Sequence, residues 1–214
     1  MIYIQSFVFN PFMENTYLLY DETKECIIID PGCYEKEEQG VLIDFVKKKG
    51  LKVVQLINTH CHIDHVLGNQ FVKEEFGVEL STSAVEEQVL KAVKTYSSNY
   101  GFPLYQEATV DSYLEEGQQV RFGDTVLDIL FVPGHSPGHL VFYHTEEKIC
   151  IGGDVLFQRS VGRTDLPGGD HETLMQSIRQ KMYSLPDDMT VYPGHGPTTT
   201  IGEEKQFNPF CAVR

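Results

Sequence analysis

Basic charge is scarce in this sequence. Only 17 Lys and Arg stand against 31 Asp and Glu in 214 residues, for a net charge of −14. No basic stripe or arm runs along the chain, which excludes a general binder of nucleic acid or of an anionic membrane. Long apolar runs are missing as well, and none approaches the roughly 20 residues that cross a bilayer as a helix. The start, Met1 to Phe12, has neither a basic region nor a long apolar core, so no secretory signal is expected. Cysteine is sparse: Cys26, Cys33, Cys61, Cys150 and Cys211 are an odd count without paired spacing. They read as reduced thiols of a cytosolic protein, not as a disulfide framework. No low-complexity tract and no repeat period interrupts the chain. The expectation is a soluble cytoplasmic protein, one domain over residues 1–214, whose partner is a small molecule.

Apolar periodicity supplies the organisation. Residues 2–9, 16–20 and 26–29 read as strands of an antiparallel meander, the last stopped by Asp30-Pro31-Gly32. A helix is expected over 35–49, with acidic residues in its first turn, Lys47–Lys49 and Gly50 at its end, and Val41, Leu42, Phe45 and Val46 as its stripe. Residues 53–57 form an apolar strand, 69–76 a short helix and 78–80 a short strand. Ser83-x-x-Glu86 has the spacing of a capping box, opening a helix that carries Val85, Val89, Ala92, Val93 and Tyr96 on one face. The aromatic connection over 96–105, Tyr100 included, reads equally as the wall of a substrate cleft and as packing. Strands follow at 109–113, 119–122, 125–132, 140–144 and 148–151, then a helix capped by Asp170 with Leu174, Ile178 and Met182 inward, and a strand at 189–192. Strand clusters in both halves with helices nearby predict an α+β protein in which two sheets pack face to face with helices outside.

The stretch Thr59-His60-Cys61-His62-Ile63-Asp64-His65 sits where the strand over 53–57 opens into a loop. In near-extended backbone the period of two puts His60 and His62 on one side, and a turn then turns Asp64 and His65 to a second point. Three more apolar strands end in a metal-capable residue: Pro133-Gly134-His135, Gly152-Gly153-Asp154 and Pro193-Gly194-His195. Small residues just upstream let the backbone turn sharply and leave the ligand at a sheet edge. Two metals are therefore expected. His60, His62 and His135 bind the first, Asp64, His65 and His195 the second, and Asp154 bridges both with a water-derived hydroxide. Imidazole and carboxylate without thiolate suit zinc, and also iron or manganese. Open positions distinguish this set from a saturated structural zinc site. Cys61 points away from its histidine neighbours and reads as filler. His144 and His171 read as surface residues and His139 as a packing or hydrogen-bonding residue.

The H-x-H-x-D-H cluster with His135, Asp154 and His195 resembles the metallo-β-lactamase-fold hydrolases. Gly153-Asp154-Val155-Leu156-Phe157, Gly162-Arg163-Thr164-Asp165, Pro167-Gly168-Gly169-Asp170 and Tyr192-Pro193-Gly194-His195-Gly196 are similar to the short bacterial glyoxalase II-like branch. That resemblance implies a four-layer αββα sandwich, two divalent metals and hydrolysis of thioesters such as hydroxyacylglutathione, with Asp64 and Asp154 in catalytic roles. Zinc β-lactamases of this fold place a cysteine near the second metal where this chain has Asp154, and the lactamase reading recedes. Full-length glyoxalase II enzymes add a helical glutathione-holding domain, whereas this chain ends at Arg214, soon after His195. Arg163 and Asp165 read either as a pair that holds the site or as a surface salt bridge. Persulfide dioxygenases of the same superfamily keep the cluster and Gly-Arg-Thr-Asp, and use one iron at the residues matching His60, His135 and Asp154. Lactonase or phosphodiesterase action is a further alternative, and the acidic charge disfavours a nuclease.

Overall fold

Residues 1–213 are described in the computed structural model. In chain order the elements are β1 (Tyr3–Phe9), β2 (Glu14–Tyr20), β3 (Glu25–Ile29), α1 (Lys36–Lys49), β4 (Lys52–Ile57), α2 (Ile63–Val66), α3 (Asn69–Phe76), β5 (Leu80–Thr82), α4 (Glu86–Tyr96), a 3₁₀ turn at Ser97–Tyr100 and β6 (Ser112–Tyr113). They continue with β7 (Gln119–Phe122), β8 (Thr125–Phe131), β9 (Leu140–His144), β10 (Ile149–Gly153), β11 (Leu156–Phe157), β12 (Ser160–Val161), α5 (His171–Gln180), β13 (Thr190–Pro193), β14 (Thr199–Thr200) and α6 (Ile201–Phe207). The chain divides into two compact units, one of residues 1–114 with 121–126, the other of 115–120 with 127 onward. Each has its own sheet and its own core.

In the first unit six strands run in the order β1-β2-β3-β4-β5-β6. The opening meander is antiparallel as the turn residues predict, and from β3 onward neighbours are parallel. Parallel pairing of β3 with β4 sets their C-terminal ends side by side, and the Asp30 amide donates to the Ile57 carbonyl at 2.9 Å. Helix α1 is capped reciprocally by Glu35 and Glu38 and closed by Gly50 in the left-handed region. Its buried residues are Leu42 and Val46, while Val41 is half exposed, so the stripe is narrower than expected.

Helix α4 differs more from its sequence reading. No capping box forms. Glu86 is the first helical residue, and its fully buried carboxylate turns away from its own helix. The inward face is Glu86, Leu90, Val93 and Ser97, with Val85 and Ala92 exposed. Burying Glu86 rotates the helix, and the apolar residues follow at i+4 and i+7. The strand expected at 109–113 shrinks to Ser112–Tyr113, and the one expected at 78–80 begins at Leu80.

The second unit's sheet has the order β14-β13-β10-β9-β8-β7, with β10 and β13 parallel. Leu174, Ile178 and Met182 are fully buried, as the 3.6-residue spacing predicts, each stabilising the unit by about 2 kcal/mol. Asp170 caps α5 by accepting from the Thr173 amide at 2.7 Å. The β11–β12 hairpin, β14 and α6 carry too few apolar residues to announce themselves in the sequence. All five cysteines are free and buried. No helix among the described residues is long and apolar enough to cross a membrane.

Candidate metal centre

In the first unit the site grows from the paired ends of β3 and β4. Asp30, with φ 51° and 2% exposed, closes β3. Its Oδ1 accepts from the Thr59 amide at 2.7 Å, and its Oδ2 accepts from the Thr59 hydroxyl at 2.5 Å and lies 3.2 Å from His65 Nδ1. A hydroxyl has one proton, and Thr59 gives it to Asp30. The Thr59 oxygen, 3.0 Å from His60 Nδ1, therefore accepts the Nδ1 proton of His60. His65 likewise hands its Nδ1 proton to Asp30. In the neutral rings the proton then sits on Nδ1 and the lone pair on Nε2, which is the tautomer a metal ligand needs. One carboxylate thus sets two imidazoles.

His62, in extended backbone, and Asp64 and His65, on α2, complete the local set. The His60 ring centroid lies 4.8 Å from that of His62 and 4.1 Å from that of His65. His65 Nε2 and Asp64 Oδ2 are 3.6 Å apart, too far for a hydrogen bond. Two donors each about 2.1 Å from a tetrahedral ion lie about 3.4 Å apart, so the separation fits two ligands of one cation. Asp30, His60 and His65 also offer ligand atoms within 4.8 Å of one another. Asp30 is engaged with the Nδ1 side of the histidines, which makes it a brace, not a ligand.

Around these residues the backbone is held by buried polar groups. Asn58 donates to the carbonyl of His65 at 3.2 Å and exchanges bonds with Asn69. Asn10 donates to the carbonyls of Asp64 at 3.0 Å and Gly32 at 3.1 Å. Glu86 accepts from the Cys61 amide at 2.8 Å. Burial pushes the Glu14 carboxyl well above the usual carboxylate range, although nearby His65 opposes the shift. Burial also raises the Cys61 thiol, which suits a filler and not a thiolate ligand. Tyr100 is about half exposed, its ring 5.5 Å from Tyr96. The Tyr96 phenol is pushed up to about 12, first by burial and then by the charges of Tyr100 and Asp64.

In the second unit His135, Asp154 and His195 come together at the ends of β8, β10 and β13. Gly153, with φ 49°, ends β10 at a register shift against β13, a bulge that turns the next residue out of the strand. Its carbonyl accepts from the Gly194 amide at 2.8 Å, bringing the residues after it beside His195. A single side-chain oxygen, Asp154 Oδ2, lies 3.6 Å from His135 Nε2 and 3.5 Å from His195 Nε2. Both are ligand-edge separations, and a carboxylate oxygen flanked by two imidazoles is a donor set that fits a divalent cation.

His135 Nδ1 lies 2.7 Å from the carbonyl oxygen of Arg163, which can only accept, so Nδ1 carries a proton and, in the neutral ring, Nε2 presents its lone pair toward Asp154. His139, fully buried, accepts from the Asp154 amide through Nε2 at 3.1 Å, the hydrogen-bonding role expected of it. The Arg163 side chain does something else. It forms a two-pronged pair with Asp165, both bonds 2.7 Å and both side chains well exposed. The guanidinium holds the Asp165 carboxyl down at about 2. The holding role thus belongs to Arg163's peptide carbonyl, and its side chain is the surface salt bridge.

The donor chemistry fits divalent metal in both units. Asp30, Thr59 and Glu86 escape the sequence reading, although Asp30 follows the apolar run at 26–29 just as the other ligand-bearing ends follow theirs.

The sequence profile of the Metallo-beta-lactamase superfamily matches residues 9–195. The chain belongs to that superfamily. Hydroxyacylglutathione hydrolase GloC of Haemophilus influenzae is 39% identical over 201 residues, 93% of each chain. Human mitochondrial persulfide dioxygenase ETHE1 is 32% identical over 91% of this chain and 70% of its own length. Among solved structures, BLEG-1 B3 metallo-beta-lactamase superposes with a TM-score of 0.89 at 35% identity over 100% of both chains. TTHA1623, in a di-iron-bound form, gives 0.83 at 34% identity over 96% of this chain and 99% of that one. The α+β metallo-β-lactamase fold expected from the sequence is the fold of this chain, and the superfamily is one of metallo-hydrolases.

Proposed function

We propose that this superfamily member is a cytoplasmic thioester hydrolase of the glyoxalase II type, holding two divalent metals. His60, His62 and His135 would hold one, Asp64, His65 and His195 the other, with Asp154 shared. The observation that carries the reading is Asp154 Oδ2, 3.6 and 3.5 Å from two imidazole nitrogens, one of them backed by a carbonyl. Zinc is the first candidate and iron or manganese the others, since the donors are imidazole and carboxylate. Bound metal supplies a water whose pKa falls toward about 7 and a polarised carbonyl.

The chain's own residues do the rest. Asp30 and Thr59 keep His60 and His65 in the metal-binding tautomer, and the Arg163 carbonyl does so for His135. Asp64 is partly exposed and stands ready to orient a nucleophilic water. In the overall reaction water adds to the acyl carbon, the carbon–sulfur bond breaks with its electron pair on sulfur, and a proton ends on the departing thiol. Hydroxyacylglutathione is the first substrate to try, given the resemblance to GloC.

A second reading, a persulfide dioxygenase with one iron on His60, His135 and Asp154, draws on the 32% identity to ETHE1. Elemental analysis of the purified chain, with a panel of thioesters, a persulfide and a β-lactam, separates them. Two metals per chain with thioester hydrolysis that chelation abolishes is the expected result. One iron with oxygen consumption on the persulfide would replace this reading with the second, and turnover of the β-lactam alone would replace it with lactamase action.

A further inference from the structure

The buried carboxylate of Glu86 has no part in the ligand set, yet its position is costly. It opens α4, whose N-terminus is held instead by Ser83, its hydroxyl accepting from the Val85 amide at 3.3 Å, and it is 0% exposed. At that helix end a carboxylate ordinarily caps the helix or faces water. Here Oε2 instead accepts from the amide of Cys61 at 2.8 Å, across 25 residues of sequence. Cys61 separates His60 from His62, and its own thiol lies 3.9 Å from the Thr82 hydroxyl, away from the histidines. Fixing this one peptide fixes the backbone angles on both sides of it, and with them the placing of two imidazoles. The bond is shielded from water, where it is electrostatically stronger than one made in solvent.

We propose that Glu86 is a positioning residue for the metal centre: by gripping the Cys61 amide it presets His60 and His62 for a cation. The inference rests on the two-metal reading above. It accounts for a residue that the sequence pattern assigns to a helix cap and whose carboxylate instead grips an amide on another segment. Glutamine at 86 keeps an acceptor oxygen of the same shape, whereas alanine removes it.

Cobalt(II) titration of the purified chain tests this without reference to turnover. Glu86→Ala is expected to weaken cobalt binding by about 10- to 100-fold and to change the visible ligand-field bands. Glu86→Gln is expected to keep the bands and lose less than about tenfold, the lower bound for a lost outer partner. A purely structural Glu86 predicts a lower melting temperature with unchanged bands and affinity, and that result overturns the proposal. Equal losses in both variants overturn it too, because they make the charge and not the acceptor responsible. Should the alanine variant fail to fold, amide NMR of the Glu86→Gln protein decides. The Cys61 proton is expected well downfield in the metal-free wild type and upfield of that in the variant; no movement overturns the idea. A wild type that binds no cobalt would instead remove the metal reading itself.

Discussion

His65 and His60 lean on a side chain, whereas His135 leans on a peptide carbonyl, and the two units thus solve the same tautomer problem by different means. In the first unit Asp30 and Thr59 supply the acceptors, so the information lies in two side chains that substitution can delete. In the second the acceptor is the backbone of Arg163, and what fixes it is the glycine before it. A Cβ at Gly162 would lie 1.9 Å from the Asp154 carbonyl oxygen and 3.0 Å from His135 Nδ1. Side-chain bracing can be rewritten by one isosteric change; backbone bracing gives way only when the chain path moves.

The sharpest way to break this contrast is Asp30→Asn. An amide oriented to accept from the Thr59 amide presents its NH₂ to His65 Nδ1, which then has to accept, and the ring proton moves to Nε2. Metal affinity is expected to fall by about 100-fold, the upper end for outer partners. Nitrogen-15 NMR of the metal-free protein should show His65 switched to the Nε2–H form while His135 stays Nδ1–H. An unchanged His65 tautomer would show that Asp30 does not set it.

Gly162→Ala attacks the other brace. No rotamer relieves a Cβ at 1.9 Å from a backbone oxygen, so the Asp154–Arg163 segment has to shift. Overpacking of this kind costs about 1–3 kcal/mol. Metal affinity should drop by more than about tenfold as His135 loses its carbonyl. Thermal melting and isothermal titration with zinc read the two effects, and a variant with wild-type values in both would sink the backbone-bracing account.

These braces also mark how far the sequence was legible. His60-x-His62-x-Asp64-His65 stands out because four metal donors crowd six positions, and His135, Asp154 and His195 stand out because each follows an apolar strand and small residues. Asp30 has the same placing, but Asp-Pro-Gly is ordinary turn chemistry, and nothing local says that a carboxylate there meets two imidazoles 30 and more residues on. Glu86 reads as a cap for the same reason: spacing along one helix is visible in sequence, and an amide on another segment is not. The Arg163 carbonyl was out of reach in principle, since every residue has one. The fold was legible where periodicity is long, as in α1, α3 and α5, and illegible where elements are too short to show a period, as in the β11–β12 hairpin, or mostly polar, as in α6.

Thr59→Val is a finer probe of the first unit. It keeps the shape and the Thr59 amide bond to Asp30 but removes the hydroxyl, leaving His60 Nδ1 without that acceptor. An unpaired buried donor costs about 1–3 kcal/mol. A loss of about tenfold in metal affinity is expected, smaller than for Asp30→Asn because His65 keeps its own bond. A loss as large as that of the aspartate variant would mean that the two histidines are not braced independently.

Arg163→Ala should do almost nothing, and that is its value. The substitution keeps the carbonyl that His135 uses and deletes an exposed pair with Asp165. Exposed pairs contribute little to stability. The pH dependence gives the same answer. The pair lowers the folded-state pKa of Asp165 to about 2, so any stability it adds is present above the unfolded value of about 3.9 and is lost as pH falls through the folded one. Across pH 5 to 8 the Asp165 carboxyl keeps its charge. Metal affinity and thioester kcat/KM should therefore stay within about threefold of wild type with an unaltered pH profile, well inside the 10- to 100-fold range for a lost outer partner. A tenfold loss would return the guanidinium to the centre and erase the distinction between the peptide group of this residue and its side chain.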